Sequence, residues 1–180
     1  MDFRGTVALA SASNIDNVLP LAGPGLPAIP GTADFVGIFS AVLVGFQVAQ
    51  PDFDFNAYLT PAGTNLLTRL RTACVLDWTK EVGPESFGSI LARPLSSGPF
   101  VDRLRKYTVV PTAGYRQPIF LGHGAADLSV PIPTSLALLA GFQASGVDYR
   151  FHPYNADHQG IVDAAWSDMQ SFLTTILPPR

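Results

Sequence analysis

The chain of 180 residues contains a single cysteine, Cys74. No disulfide can therefore close within it, and no cluster of cysteine and histidine has the spacing of a zinc site. Charge is scarce as well: Asp, Glu, Lys and Arg make up 14% of the residues and the formal net charge is −3. That share is well below the usual quarter of a soluble domain and excludes both disorder and a solvated coiled coil. Eleven Lys and Arg residues at a pI near 5.4 argue against a phosphate-binding surface, and so against nucleic acid as a partner. No secretory leader is readable at the N-terminus, where MDFRGTVALASAS has one Arg and lacks the apolar run of about 7–15 residues that precedes a cleavage site. A membrane-spanning run is missing too. The uncharged stretch from Phe35 to Pro51 reaches about 26 Å as a helix against a hydrocarbon core of about 30 Å, and it is interrupted by Gly37, Ser40, Gly45 and Gln47.

What is present is apolar: 47% of the residues are hydrophobic, enough for one domain with a substantial core. Residues 5–10 (GTVALA) read as a short, fully buried strand, and 19–31, dense in Pro and Gly, as a shaped loop or linker. Four helices follow. The first, over roughly 33–49, is apolar nearly all round. The second starts at Thr60-Pro61, a cap residue before a proline at the first helical position, and runs to about Gly83. It carries Leu66, Leu67, Leu70, Ala73, Cys74 and Trp78 on one face, with Cys74 as a packed thiol or the disulfide partner of an upstream cysteine. A third, short helix lies between Pro84 and Pro94, and a fourth opens at Ser97-Gly98-Pro99.

After Pro111 the texture changes. Residues 118–121 (PIFL) form a buried-strand run ending in the loop GHGAADLSVP. A helix over 133–145 closes at Gly146, 147–152 alternates like a strand, and the loop PYNADHQG leads into a last helix over about 161–176. This order is the βαβα grammar of a parallel sheet, an α/β class. The loops that follow the two strands then lie side by side on the edge where such sheets place their chemistry.

Those two loops carry Asp127 and His158, 31 residues apart. A carboxylate on an imidazole Nδ1–H fixes the tautomer and orientation of the ring and stabilises the imidazolium, so the pair suits general-base activation of a weak nucleophile. The same residues also suit a turn cap at 127 and a helix cap for 161. His123 reads as hydrogen-bonded within the first loop. The His152 ring should point to a sheet face, Asp157 should be exposed, Asp148 begins a strand, and Asp163 sits in the first turn of a helix, where a carboxylate complements the dipole.

GHGAADLSVP followed after one helix and one strand by NADHQG resembles the acid and histidine loops of the α/β-hydrolases, in particular the secretory lipase family of bacteria and fungi. DFRGTVALASAS resembles that family's strand after the nucleophile helix, and PDFDFNAYLTPAG with the following helix resembles its lid insertion. The resemblance implies the C-terminal part of an α/β-hydrolase fold: 1–12 with 112–180 as the last strands and helices of the core, and 13–111 as a helical lid. It implies Asp127 and His158 as catalytic acid and base, with Phe35, Ile38, Phe39, Val42, Leu43 and Phe46 of the lid offered to a lipid. The implied activity is hydrolysis of triacylglycerols or related esters by a Ser-His-Asp mechanism, without metal or organic cofactor, in a secreted protein that touches lipid interfaces transiently.

One departure bears on all of this: none of the twelve serines lies in a G-x-S-x-G pattern. In these enzymes the serine precedes the acid and the histidine. The expectation is therefore an N-terminal half, covalent or in trans, that carries the nucleophile, with the chain alone inactive. The strand at 5–10 would be an exposed apolar edge at which the chain alone is unstable or aggregates. The alternative is a non-catalytic lipid- or protein-binding fragment of the same fold.

Overall fold

The computed structural model describes residues 2–177. They form two compact units, one of residues up to Asn14 with those from Val110 onward, the other Ile15–Val109.

The first unit is built on three parallel strands, β1 (Thr6–Leu9), β2 (Ile119–Gly124) and β3 (Tyr149–Tyr154), in the order β1-β2-β3. The register aligns Thr6 with Ile119 and Ile119 with Tyr149. Alternation along the strands divides the apolar side chains between the two faces. Ile119 and Leu121 face helix α7 (Pro133–Ala144) through Leu138, Leu139 and Phe142. Phe120 faces the opposite layer, α8 (Ile161–Ala164) and α9 (Trp166–Ile176), where it meets Ile161, Ala165, Met169 and Phe172. Helices on both faces of a parallel sheet explain why central β2 is buried at every position.

Four sequence expectations change here. β3 runs over Tyr149–Tyr154 rather than 147–152, so Asp148 precedes the strand instead of beginning it. β1 is only half-buried rather than fully buried, because it is an edge strand paired on one side by β2. β2 continues three residues beyond Leu121, so His123 lies in the strand and not in the loop. The expected helix over 161–176 is two helices that meet at Ala165.

The second unit is helical. Its elements are α1 (Ile15–Val18), α2 (Ala33–Ala49), α3 (Pro61–Leu70), α4 (Trp78–Val82), α5 (Phe87–Ile90) and α6 (Phe100–Thr108), with three 3₁₀ turns between them. α3 begins as read, with the Thr60 hydroxyl accepting from the Gly63 N–H and Pro61 in the first turn. It ends at Leu70 instead of running on to Gly83. The Arg69 carbonyl accepts from the Thr72 and Ala73 N–H groups and from the Thr72 hydroxyl, a closing turn after which Val75–Asp77 is a 3₁₀ turn. Cys74 consequently sits between helices and is exposed, not packed. The short third helix shrinks to the single turn of α5, held by a reciprocal Ser86–Ser89 capping box.

α2 is the axis of this unit. Phe39, Leu43 and Phe46 are 1%, 0% and 0% exposed. The Phe46 ring packs on Phe53, Phe55, Phe100 and Tyr107 at centroid distances of 5.5, 5.8, 5.0 and 6.0 Å. An apolar helix needs cover on several sides, and α3, α4 and α6 all pack on it. Among the described residues no helix is long and apolar enough to cross a membrane.

Candidate active site

The site lies where β2 and β3 end. Asp127 follows Gly124 by three residues, and His158 follows Tyr154 by four. Backbone bonds stitch the two loops together: the Ala125 N–H donates to Tyr154 O at 2.7 Å, and the Ala126 N–H to Ala156 O at 3.1 Å. Gly124 makes this approach possible. A Cβ there would run into the Ala156 carbonyl oxygen and come within 2.9 Å of that of Asp157. On the other loop the Gly160 N–H donates to Asp157 Oδ1 at 2.7 Å, closing a turn around His158.

The carboxylate of Asp127 has a fully buried side chain and is spanned by N–H donors. Its Oδ1 accepts from the Ser129 N–H at 2.9 Å and the Val130 N–H at 2.8 Å. Its Oδ2 lies 2.8 Å from His158 Nδ1. A carboxylate only accepts, so Nδ1 carries the proton and the second ring nitrogen, Nε2, keeps its lone pair. The His158 side chain is 34% exposed, so the ring can reach a reactant while its inner edge is held. Hydrogen bonds to a carboxylate are charge-assisted, and such bonds are roughly twice as strong as neutral ones.

The other histidines divide. His123 is fully buried beside the pair, with Nε2 2.8 Å from Val130 O and Nδ1 2.7 Å from the Ser135 hydroxyl. His152 lies on an exposed sheet face, 3.1 Å from Asp168. The same carboxylate accepts the Tyr154 hydroxyl at 2.7 Å. Burial first, then this carboxylate, push the Tyr154 phenol well above its ordinary range. Asp157 is exposed, as read, and Asp163 lies within α8.

The six lid residues are not presented alike. Phe35 lines an apolar cavity of about 400 Å³ in the helical unit, together with Leu26, Ile29, Val36 and Phe87, a size in the range of small-ligand sites. Ile38 and Val42 are half-buried against the core of that unit. Phe39, Leu43 and Phe46 are that core and offer no free surface, because the helices packed around α2 already cover them.

A three-stranded parallel sheet covered on both faces, with an acid loop and a histidine loop side by side at its carboxyl edge, defines the class: this is the C-terminal part of an α/β-hydrolase fold. Two solved structures bear the likeness out at the level of fold. Lipase A of Candida antarctica superposes with a TM-score of 0.65 at 24% identity, the match covering 98% of this chain and 43% of that one. The rice cell wall degrading esterase LipA of Xanthomonas oryzae gives a TM-score of 0.64 at 15% identity, covering 97% of this chain and 48% of that one. The chain thus spans about half the length of the solved structures it matches. No protein-family model matches the sequence, and no match was found among the curated proteins.

Proposed function

We propose that this chain supplies the acid and the base of a serine hydrolase acting on carboxylic esters, of the secretory lipase type, and that an N-terminal half supplies the nucleophile. The observation that carries the proposal is the 2.8 Å bond between His158 Nδ1 and a buried, N–H-saturated Asp127, a base held in one tautomer by an ionised acid. In the complete enzyme His158 Nε2 takes the serine proton as Oγ attacks the ester carbonyl. The imidazolium then returns the proton to the leaving alkoxide, and an acyl-enzyme remains. A water molecule deprotonated by the same nitrogen attacks the acyl carbonyl, the imidazolium returns that proton to the departing serine Oγ, and the free acid and the serine are released. Asp127 stays ionised throughout and stabilises each imidazolium.

The apolar cavity beside Phe35, of small-ligand size, supports a substrate with an apolar acyl part. Triacylglycerols and related esters are the proposed substrates, secretion the proposed localisation, and contact with a lipid interface the proposed mode of access. Free edge β1 is the strand to which the N-terminal half would add.

The test is a serine-directed fluorophosphonate probe, applied to the chain joined to or co-expressed with its N-terminal half. Labelling that depends on His158 is expected, with His158→Ala lowering ester turnover at least about 10³-fold. Near-normal hydrolysis by that variant sinks the assignment. Binding of apolar esters with no labelling and no turnover would favour a non-catalytic role for the fold.

A further inference from the structure

His123 is the one fully buried histidine among the described residues, and the proton transfers proposed above do not use it. Packing alone does not account for it. An imidazole loses water on both nitrogens when buried, and an aliphatic side chain would fill the end of a central strand without that cost. What a histidine adds is a donor and an acceptor at fixed separation, and both are engaged.

The Val130 carbonyl can only accept, so the proton of His123 is on Nε2 and Nδ1 accepts from the Ser135 hydroxyl. Val130 is also the residue whose N–H donates to Asp127 Oδ1. The backbone around Val130 is therefore gripped twice, by His123 through its oxygen and by Asp127 through its nitrogen. The His123 Nε2–H further lies 3.5 Å from Asp127 Oδ2, the oxygen that holds His158. With the proton on Nδ1 instead, the Nε2 lone pair would face two oxygens. The Val130 carbonyl thus sets the tautomer, and the Ser135 hydroxyl, in the first turn of α7, holds the ring by donating to Nδ1. The Ser135 region is itself pinned to the segment after β1, since Ser13 Oγ and Asn14 Nδ2 both donate to Thr134 O, at 3.0 and 2.9 Å.

We infer that His123, set in its Nε2–H tautomer by the Val130 carbonyl and held by Ser135, is a positioning residue: it fixes the 127–130 turn so that Asp127 presents Oδ2 to His158. The inference rests on Asp127 and His158 being the acid and base of an ester hydrolase. It adds a hydrogen-bonded line that runs from α7 through β2 and the acid turn to the base.

The experiment uses the complete hydrolase with p-nitrophenyl butyrate as probe, and His123→Phe, Ser135→Ala and His123→Gln as variants. His123→Phe and Ser135→Ala should lower kcat about 10- to 100-fold, the cost of a small misplacement of a reacting group, with KM within about twofold. His123→Gln, whose amide N–H reaches toward the Val130 carbonyl, should recover most of the loss. In ¹⁵N-labelled protein the His158 Nδ1–H resonance should shift in the first two variants and return in the third. If His123→Phe fails to fold, Ser135→Ala, which removes one oxygen atom, carries the test. A folded variant that keeps kcat within about twofold of wild type overturns the inference, as does a lowered melting temperature with an unchanged His158 resonance. Should the wild-type enzyme hydrolyse no ester, the hydrolase reading fails separately, and the tautomer of His123 with the His158 resonance still decides whether the line of bonds exists.

Discussion

Replacing Asp127 by Asn separates chemistry from stability at this site. The Asn side-chain oxygen can keep the two backbone bonds that Asp127 Oδ1 accepts from Ser129 and Val130. Its NH₂ group, however, takes the place of Oδ2 and offers a hydrogen to His158 Nδ1, 2.8 Å away. Nδ1 must then accept, the ring proton moves to Nε2, and the nitrogen that should take the serine proton has none of its basicity left. Where this tautomer switch occurs in a serine-histidine-aspartate site, kcat falls about 10⁴-fold, and the same order is expected here. Stability should change far less. Three charge-assisted bonds become neutral ones, a loss of about 1 kcal/mol each, offset in part because a neutral amide costs less to bury than a carboxylate. Asp127→Ala gives the contrast: it strands the Ser129 and Val130 N–H groups in a buried turn, at about 1–3 kcal/mol each. The assays are ester turnover by the complete enzyme and thermal unfolding of the same preparation, with ¹⁵N spectra of His158 reporting the tautomer. A folded Asp127→Asn enzyme that keeps kcat within about tenfold of wild type would refute the reasoning.

Four further outcomes are expected. Gly124→Ala should push the 155–160 loop off the end of β2, because its Cβ collides with the Ala156 carbonyl; the overpacking should cost about 1–3 kcal/mol and lower turnover, and chemical denaturation together with kinetics would detect both. Phe46→Ala should destabilise the helical unit by about 3–5 kcal/mol in urea titration, and a loss below about 1 kcal/mol would mean that the ring cluster is not its core. Tyr154 has a folded-state pKa raised above its ordinary 10.0, so its contribution is complete below about pH 10 and is lost as pH rises toward the folded value; Tyr154→Phe should remove that alkaline decline from a stability-against-pH curve. The 180-residue chain alone should self-associate through the β1 edge, and light scattering that finds a monomer with a cooperative melt would count against that.

Much of the site could be read from the chain before folding. Strand, loop, helix, strand, loop, helix after Pro111 puts two loops on one sheet edge, and a carboxylate and an imidazole in those loops have few other places to go. Helix starts were equally local: Thr60-Pro61 satisfies the first turn of α3 with atoms three residues apart. The helix ends were harder, since the apolar pattern carries on past Leu70, where α3 stops and a 3₁₀ turn follows. α2 was recognisable as an apolar helix, but its sequence does not distinguish Phe35, which lines a cavity, from Phe46, which is sealed among four rings. That distinction belongs to the neighbours.

By itself, then, the sequence determined the class of fold, the strand, loop and helix order after Pro111, and Asp127 and His158 as the candidate pair at one sheet edge, because periodicity, caps and chain order are properties of nearby residues. Tertiary structure alone decided the reach of β2 to Gly124, the burial of His123 and its bonds to Ser135 and Val130, and the need for glycine at 124. Each of these depends on groups brought together from separate segments: a strand extends as far as its partners offer hydrogen bonds, and a buried imidazole is tolerated only where both nitrogens meet a partner.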